Sequence, residues 1–225
     1  MQAYNNRFEM PSASSGGVLN MWYSFNHKNV HFVNIDTETD FPGSPNDSYT
    51  GLQNGGFGNQ MAWLDADLRK ANASRAAGDI SWIIVGGHRP VYSADEVSGN
   101  VPTGPALALQ RAVENMFLMY GVDIFFCGHK HSYERQWPTA HNVPQKSYIN
   151  PTAPVYIVNG AGGNIEGTTK YPSELPDWNV KAMSVWGLGE LTVHNGTHLQ
   201  WDFYGAANGD LLDEMWLVKT TGTHA

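Results

Sequence analysis

Two short apolar runs constrain the fold more than any other feature: "ISWIIVGG" at 80–87 and "VDIFFCG" at 122–128. Each is apolar rather than alternating after one polar residue at its second position (Ser81, Asp123), each ends in glycine, and each is followed at once by histidine. A run this short and this continuous suits a strand buried on both faces, which occurs when helices cover a parallel sheet. The intervening "GPALALQRAVENMFLMYG" puts Leu109, Val113, Met116 and Tyr120 on one helical face and stops at Gly121. Upstream, "NQMAWLDADLRKANASRAAG" does the same with Met61, Leu64, Leu68 and Ala71, closing on Gly78. With "VHFVNID" (30–36) as a further strand, the order strand, helix, strand, helix, strand predicts a parallel sheet flanked by helices.

The second half changes character. A loop rich in Pro, Asn and Ser is expected over about 136–152. "APVYIVNGAGG" reads as a strand running into a glycine-rich turn, and "LGELTVHNGTHLQWDFYG" alternates around Asn195-Gly196, a hairpin signal. "DEMWLVKT" supplies a last strand, so antiparallel strands finish a second sheet. The expected class is α/β, an α+β sandwich of two mixed sheets flanked by helices, in a single domain over 1–225.

Composition narrows the function classes. Hydrophobic residues make up 41% and charged residues 15%, a globular profile with no sign of disorder. The net charge of −8, with no Lys/Arg cluster, argues against a nucleic-acid partner, which demands concentrated positive charge. An acidic protein can still process phosphates if a metal supplies local positive charge. Cys127 is the only cysteine, so no internal disulfide forms, and its apolar run predicts a buried, inert thiol. Sequons at Asn46, Asn72 and Asn195 lean toward a secretory route. "MQAYNNRFEMP" has neither the basic start nor the apolar core of a signal peptide, and no stretch reaches the length of a membrane span.

Ligands of open α/β sheets gather beyond the carboxyl ends of the strands. There "VGGHRP" places His88, and "CGHKH" places His129 and His131. The glycine before each is expected to let the backbone turn sharply and bring the imidazoles to a shared point. Three histidines at one end of adjacent strands point to a metal. The other histidines have blander readings: His194 and His198 flank a hairpin turn, and His27, His31, His141 and His224 have no ligand-like neighbours in sequence. Asp36, Glu38 and Asp40 follow the first strand, and alternation would point all three to one side. They read equally as metal ligands or as a solvated acidic strand end.

"GHKHSYER" closely resembles the G-H-x-H-x-Y-E-R signature of purple acid phosphatases, metallophosphoesterases of the calcineurin-like fold. "VGGHRPVYS" is similar to that family's preceding histidine block, and "RFEMP", "MWYSFNHKNVHFVNIDTETDF", "QMAWLDADL", "APVYIVNGAGGNIEG" and "LDEMWLVK" extend the likeness over essentially the whole chain. The resemblance implies an acid phosphatase that hydrolyses phosphate monoesters at a dinuclear centre of Fe(III) and a divalent Zn, Mn or Fe, through a metal-activated water. Carried over, His88 and His129 would bind the divalent ion and His131 the iron. Tyr133 would pack, and a Glu134–Arg135 pair would brace the loop. The family resemblance further implies a secreted, or vacuolar or lysosomal, location.

The chain also departs from the family pattern. The upstream Asp-x-Gly, Gly-Asp-x-x-Tyr and Gly-Asn-His blocks are not in this sequence; Asn26-His27 lacks the glycine and falls in the wrong segment. Asp36, Glu38 and Asp40 align with a family stretch that carries no ligands, which favours the solvated reading for them. The chain therefore corresponds to the C-terminal part of a metallophosphoesterase catalytic domain carrying only the histidine half of the site. A stable two-metal centre is not expected from it, and the first sheet would expose an edge where a polypeptide could supply further strands. Two alternative readings remain: a non-catalytic remnant binding a metal or a partner subunit, and a structural domain with relic histidines.

Overall fold

A computed structural model describes residues 2–46, 51 and 54–220. Two short helices open the chain, α1 (Gln2–Arg7) and α2 (Ser12–Ser15), followed by β1 (Tyr23–His27), β2 (Val30–Asn34), α3 (Gln60–Ala77) and β3 (Trp82–Gly86). A small hairpin of β4 (Val97–Ser98) and β5 (Val101–Pro102) leads to α4 (Gly104–Tyr120), β6 (Ile124–Cys127) and β7 (Tyr133–Gln136). A second small hairpin, β8 (Thr139–Ala140) and β9 (Val143–Pro144), precedes β10 (Val155–Asn159) and β11 (Asn179–Met183). The chain closes with β12 (Gly187–Val193), β13 (His198–Gly205) and β14 (Leu211–Val218).

These strands form a seven-stranded sheet ordered β1-β2-β3-β6-β10-β7-β11 and a three-stranded antiparallel sheet ordered β12-β13-β14. Strands β2, β3, β6 and β10 run parallel, while β1, β7 and β11 pair antiparallel, so the larger sheet is mixed. The alternation hidden inside the apolar runs now becomes visible. Ile83 and Val85 of β3 face α3 and α4, in a core with Leu64, Leu68, Val113 and Phe117. Trp82 and Ile84 face the smaller sheet, in a second core with Leu199, Trp201, Phe203 and Leu217. A strand in the middle layer has no polar face, which is why its sequence does not alternate. Each fully buried Leu or Phe here contributes roughly 1.5–3 kcal/mol relative to an exposed one.

Both long helices end as their glycines predict, with Gly78 at φ 86 and Gly121 at φ 61 in the left-handed conformation. Asn59 caps α3 by accepting the Ala62 amide. One feature differs from the sequence expectation: the 136–152 segment is not all loop, since His141 and Asn142, both at positive φ, turn the β8–β9 hairpin. Residues Tyr133–Gln136, to which the sequence assigned no element, are a strand of the larger sheet. One edge of that sheet is β1, which pairs with β2 over five residues and leaves Phe25, Asn26 and His27 exposed.

Candidate metal centre

Because β3 and β6 are parallel neighbours with Gly86 opposite Phe126, their carboxyl ends emerge side by side. The Gly87 amide donates to the Phe126 carbonyl and the Gly128 amide to the His88 carbonyl, so the two exits are stitched together. Neither glycine supplies the sharp turn expected of it. Gly87 is needed for closeness, since a Cβ there would lie 2.5 Å from the Thr37 methyl, whereas a Cβ on Gly128 would meet nothing nearer than 4.0 Å. The left-handed step is taken by His129 itself, at φ 62. Gly160 lets the β10 exit pass beneath this loop, where a Cβ would sit 2.0 Å from the Lys130 carbonyl oxygen.

The result brings His129 Nδ1 to 3.2 Å from His88 Nε2, with the rings edge to face. Glu38 Oε1 is 3.6 Å from His88 Nε2, and its Oε2 accepts from Arg89 Nε at 2.7 Å. Arg89 Nη1 lies 3.0 Å from His129 Nε2. One ligand atom each from Glu38, His88 and His129 falls within 4.8 Å of the others. Partial burial, and then the Arg89 guanidinium, push the His129 imidazole down to about 4, so the ring is neutral over most of the pH range. A neutral ring is the form that binds a metal.

His131 does not join this cluster. Its amide donates to Thr169 Oγ1 at 2.9 Å, its carbonyl accepts the Thr169 amide, and its Nδ1 lies 3.5 Å from Glu166 Oε2. It thus ties the histidine loop to the 160–170 loop. The three acidic residues do not share one side, because β2 ends at Asn34 and the chain turns. Asp36 accepts the Glu38 and Thr39 amides, at 2.8 and 3.1 Å, and burial raises its pKa. Asp40, at φ 59, accepts the Gly56, Phe57 and Gly58 amides. Glu38 alone reaches a histidine of the cluster, so the solvated reading does not describe it.

Tyr133, Glu134 and Arg135 are all buried, but Glu134 and Arg135 do not brace each other. Adjacent strand residues face opposite ways. Glu134 turns toward Ser93 Oγ and the Ala94 amide, at 2.6 and 2.8 Å. Arg135 forks onto Asp213 through Nε and Nη2, at 2.6 and 2.8 Å, and the Tyr133 hydroxyl donates to the same carboxylate at 2.7 Å. They fasten β7 to the helical side and to the smaller sheet. His31 and His141 do have acidic neighbours, Asp67 at 2.9 Å and Glu114 at 3.2 Å, while His224 lies outside the described residues. Of the sequons, Asn195 sits on an exposed turn and Asn46 is exposed, although its Ser48 lies outside the described residues. Asn72 is inside α3 and accepts from Arg75 at 2.8 Å.

A dinuclear centre needs ligands for two ions and a group bridging them. The described residues gather ligand atoms for one ion. The set does not fit two. Sequence reasoning missed Arg89, although it is adjacent to His88, and it set Glu38 aside; neither residue's direction is encoded in spacing.

Comparison with known proteins gives this geometry a lineage. A family model described as iron/zinc purple acid phosphatase-like protein C matches residues 153–214. The chain is similar to an acid phosphatase of Aspergillus ficuum, 34% identical over 96% of this chain and 40% of that protein. It is likewise 34% identical to purple acid phosphatase 18 of Arabidopsis thaliana, over 96% of this chain and 44% of that one. The chain therefore spans less than half the length of these two relatives. Its fold matches that of a purple acid phosphatase from yellow lupin seeds with a TM-score of 0.74 and 20% identity, over 96% of this chain and 35% of that one. Sequence likeness along nearly the whole chain, the matched C-terminal segment and the shared fold agree: the chain is similar to a C-terminal part of purple acid phosphatases.

Proposed function

We propose that residues 1–225 form the C-terminal part of the catalytic domain of an acid phosphatase whose substrates are phosphate monoesters. In this reading His88 and His129 are its metal-binding histidines, and His131 is the third histidine of the family pattern. The observation that carries the reading is the convergence of His88 and His129, 3.2 Å apart, at the carboxyl ends of neighbouring parallel strands. That is where open α/β sheets hold their ligands. The relatives' printed names, acid phosphatase and purple acid phosphatase, supply the reaction class. Iron with a divalent zinc, manganese or iron is the metal pair we assign to the parent site.

The carboxylate blocks of the family pattern are not among residues 1–225, so a complete site of that kind would draw them from outside these residues. No described helix is long and apolar enough to cross a membrane, and the sequons Asn46 and Asn195, both exposed, suit a secreted or vacuolar protein. A second reading, a non-catalytic remnant that binds a metal, is favoured by one observation: ligand atoms for a single ion come together without those blocks.

The test is hydrolysis of p-nitrophenyl phosphate at acid pH, with zinc and iron supplied, by the chain alone and by the chain mixed with a polypeptide bearing the family's upstream blocks. We expect activity from the mixture that disappears on joint substitution His88→Ala and His129→Ala, and little from the chain alone. Activity in the mixture that survives the double substitution would overturn the assignment of those histidines.

A further inference from the structure

The family centre holds two metals, whereas three ligand atoms converge here around a single point. Resting on the assignment of His88 and His129 above, we propose that this chain binds one divalent cation of the zinc type through Glu38, His88 and His129, with His131 outside the shell.

Geometry favours this set. Two ligand atoms each about 2.1 Å from a tetrahedral zinc ion lie about 3.4 Å apart. Two of the three separations, 3.2 Å between His129 Nδ1 and His88 Nε2 and 3.6 Å between His88 Nε2 and Glu38 Oε1, are close to such an edge, and all three ligand atoms lie within 4.8 Å of one another. Two imidazoles and one carboxylate suit zinc in kind, and a three-residue set leaves a coordination position for solvent or an anion. The site is reachable, since the His88 side chain is 58% exposed.

Arg89 divides its donors between two of the ligands. Its Nε holds Glu38 Oε2, which leaves Oε1 toward the cluster and fixes the carboxylate's direction, as outer partners of metal ligands do. Its Nη1 faces His129 Nε2, where it can only donate. With Nε2 accepting, the proton of the neutral ring sits on Nδ1. For Nδ1 to bind an ion, that proton must move to Nε2, which would then oppose the guanidinium N–H. Binding therefore turns Arg89 away from His129 while its bond to Glu38 can persist. The exchange moves the proton from one ring nitrogen to the other.

Lys130 does not compete for the site, because its ammonium is held by Asp95 and Glu96 at 2.9 and 2.8 Å. His131 is held by the 160–170 loop through both backbone groups. Glu166, its nearest carboxylate, makes no part of the three-residue cluster.

The test is titration of the metal-free 225-residue chain with Co2+ and with Zn2+, read by visible absorption and by calorimetry. One Co2+ per chain should bind and give the intense d–d absorption of a four- or five-coordinate ion. Glu38→Gln, which keeps shape and removes charge, should lower Zn2+ affinity by more than the ~10–100-fold typical of losing an outer partner of a metal ligand. His129→Ala should abolish the spectrum, and His131→Ala should leave affinity and spectrum unchanged. Far-UV circular dichroism identifies any variant that fails to fold. Two ions per chain, no binding by the native chain, or binding sensitive to His131→Ala but not to Glu38→Gln would each overturn the proposal. The two readings fail separately. An ion held through Glu38 without hydrolysis in the reconstituted mixture upholds the site and sinks the phosphatase reading, and hydrolysis with a metal content indifferent to Glu38→Gln does the reverse.

Discussion

Gly160 and His129 together set the height of the histidine loop. The Gly160 backbone passes so close to the Lys130 carbonyl that a methyl group would have to push it away, and Lys130 lies between His129 and His131. Gly160→Ala should therefore destabilise the chain by the ~1–3 kcal/mol typical of overpacking and weaken zinc binding as well. Thermal unfolding and zinc titration of the variant would read both effects, and unchanged values in each would show that the loop yields freely. Glu134 belongs to the same scale. Burial pushes its carboxyl up from an ordinary 4.5 to about 7, against the donors Ser93 and Ala94 that pull it down. The folded state then keeps a proton that the unfolded chain releases. The sign follows: this contribution is full below pH 4.5 and is lost as pH rises to about 7, by a few kcal/mol at most, on the order of 3. The slope of melting temperature against pH over that window should flatten in Glu134→Gln, whatever that variant's absolute stability. A slope identical to the native one would exclude Glu134 as its source.

Among the elements, the strand and helix order was legible because burial on two faces writes continuous apolar runs, and glycine stops write themselves after helices. Strand β7 was not, since "YERQ" has the composition of a surface segment and is buried only because Glu134, Arg135 and Gln136 find partners in other layers. A second set of buried charges joins three elements at the opposite end of the sheet from the histidines. Asp123, just before β6, accepts the Ile83 amide at 2.8 Å and the Lys219 ammonium at 2.7 Å, with Arg75 of α3 at 3.6 Å. Lys219 also lies over the Trp82 ring, 4.0 Å from its centroid. Removing one partner leaves cations in a dry interior, so Asp123→Ala should cost about 3–5 kcal/mol. Denaturant unfolding measures it, and a loss below about 1 kcal/mol would mean that water reaches the cluster.

For the molecule as a whole, sequence and fold carried the likeness to purple acid phosphatases, while the composition of the site came from direction rather than from spacing. The two histidines that meet could be read from glycine-histidine steps after buried strands. Glu38 could not be separated from Asp36 and Asp40 in sequence, because the turn after Asn34 sends each to a different neighbour. His131 was grouped with His129 by their two-residue spacing, yet the left-handed backbone at His129 and the Thr169 bonds send it elsewhere. The account's central claim is that the segments following β2, β3 and β6 deliver one ligand each to a single ion. The most direct test is anomalous X-ray diffraction at the zinc edge from crystals of the chain soaked in Zn2+. The account predicts one peak, about 2.0–2.2 Å from atoms of Glu38, His88 and His129. Two peaks, a peak coordinated by His131, or none at the histidine loop would contradict it.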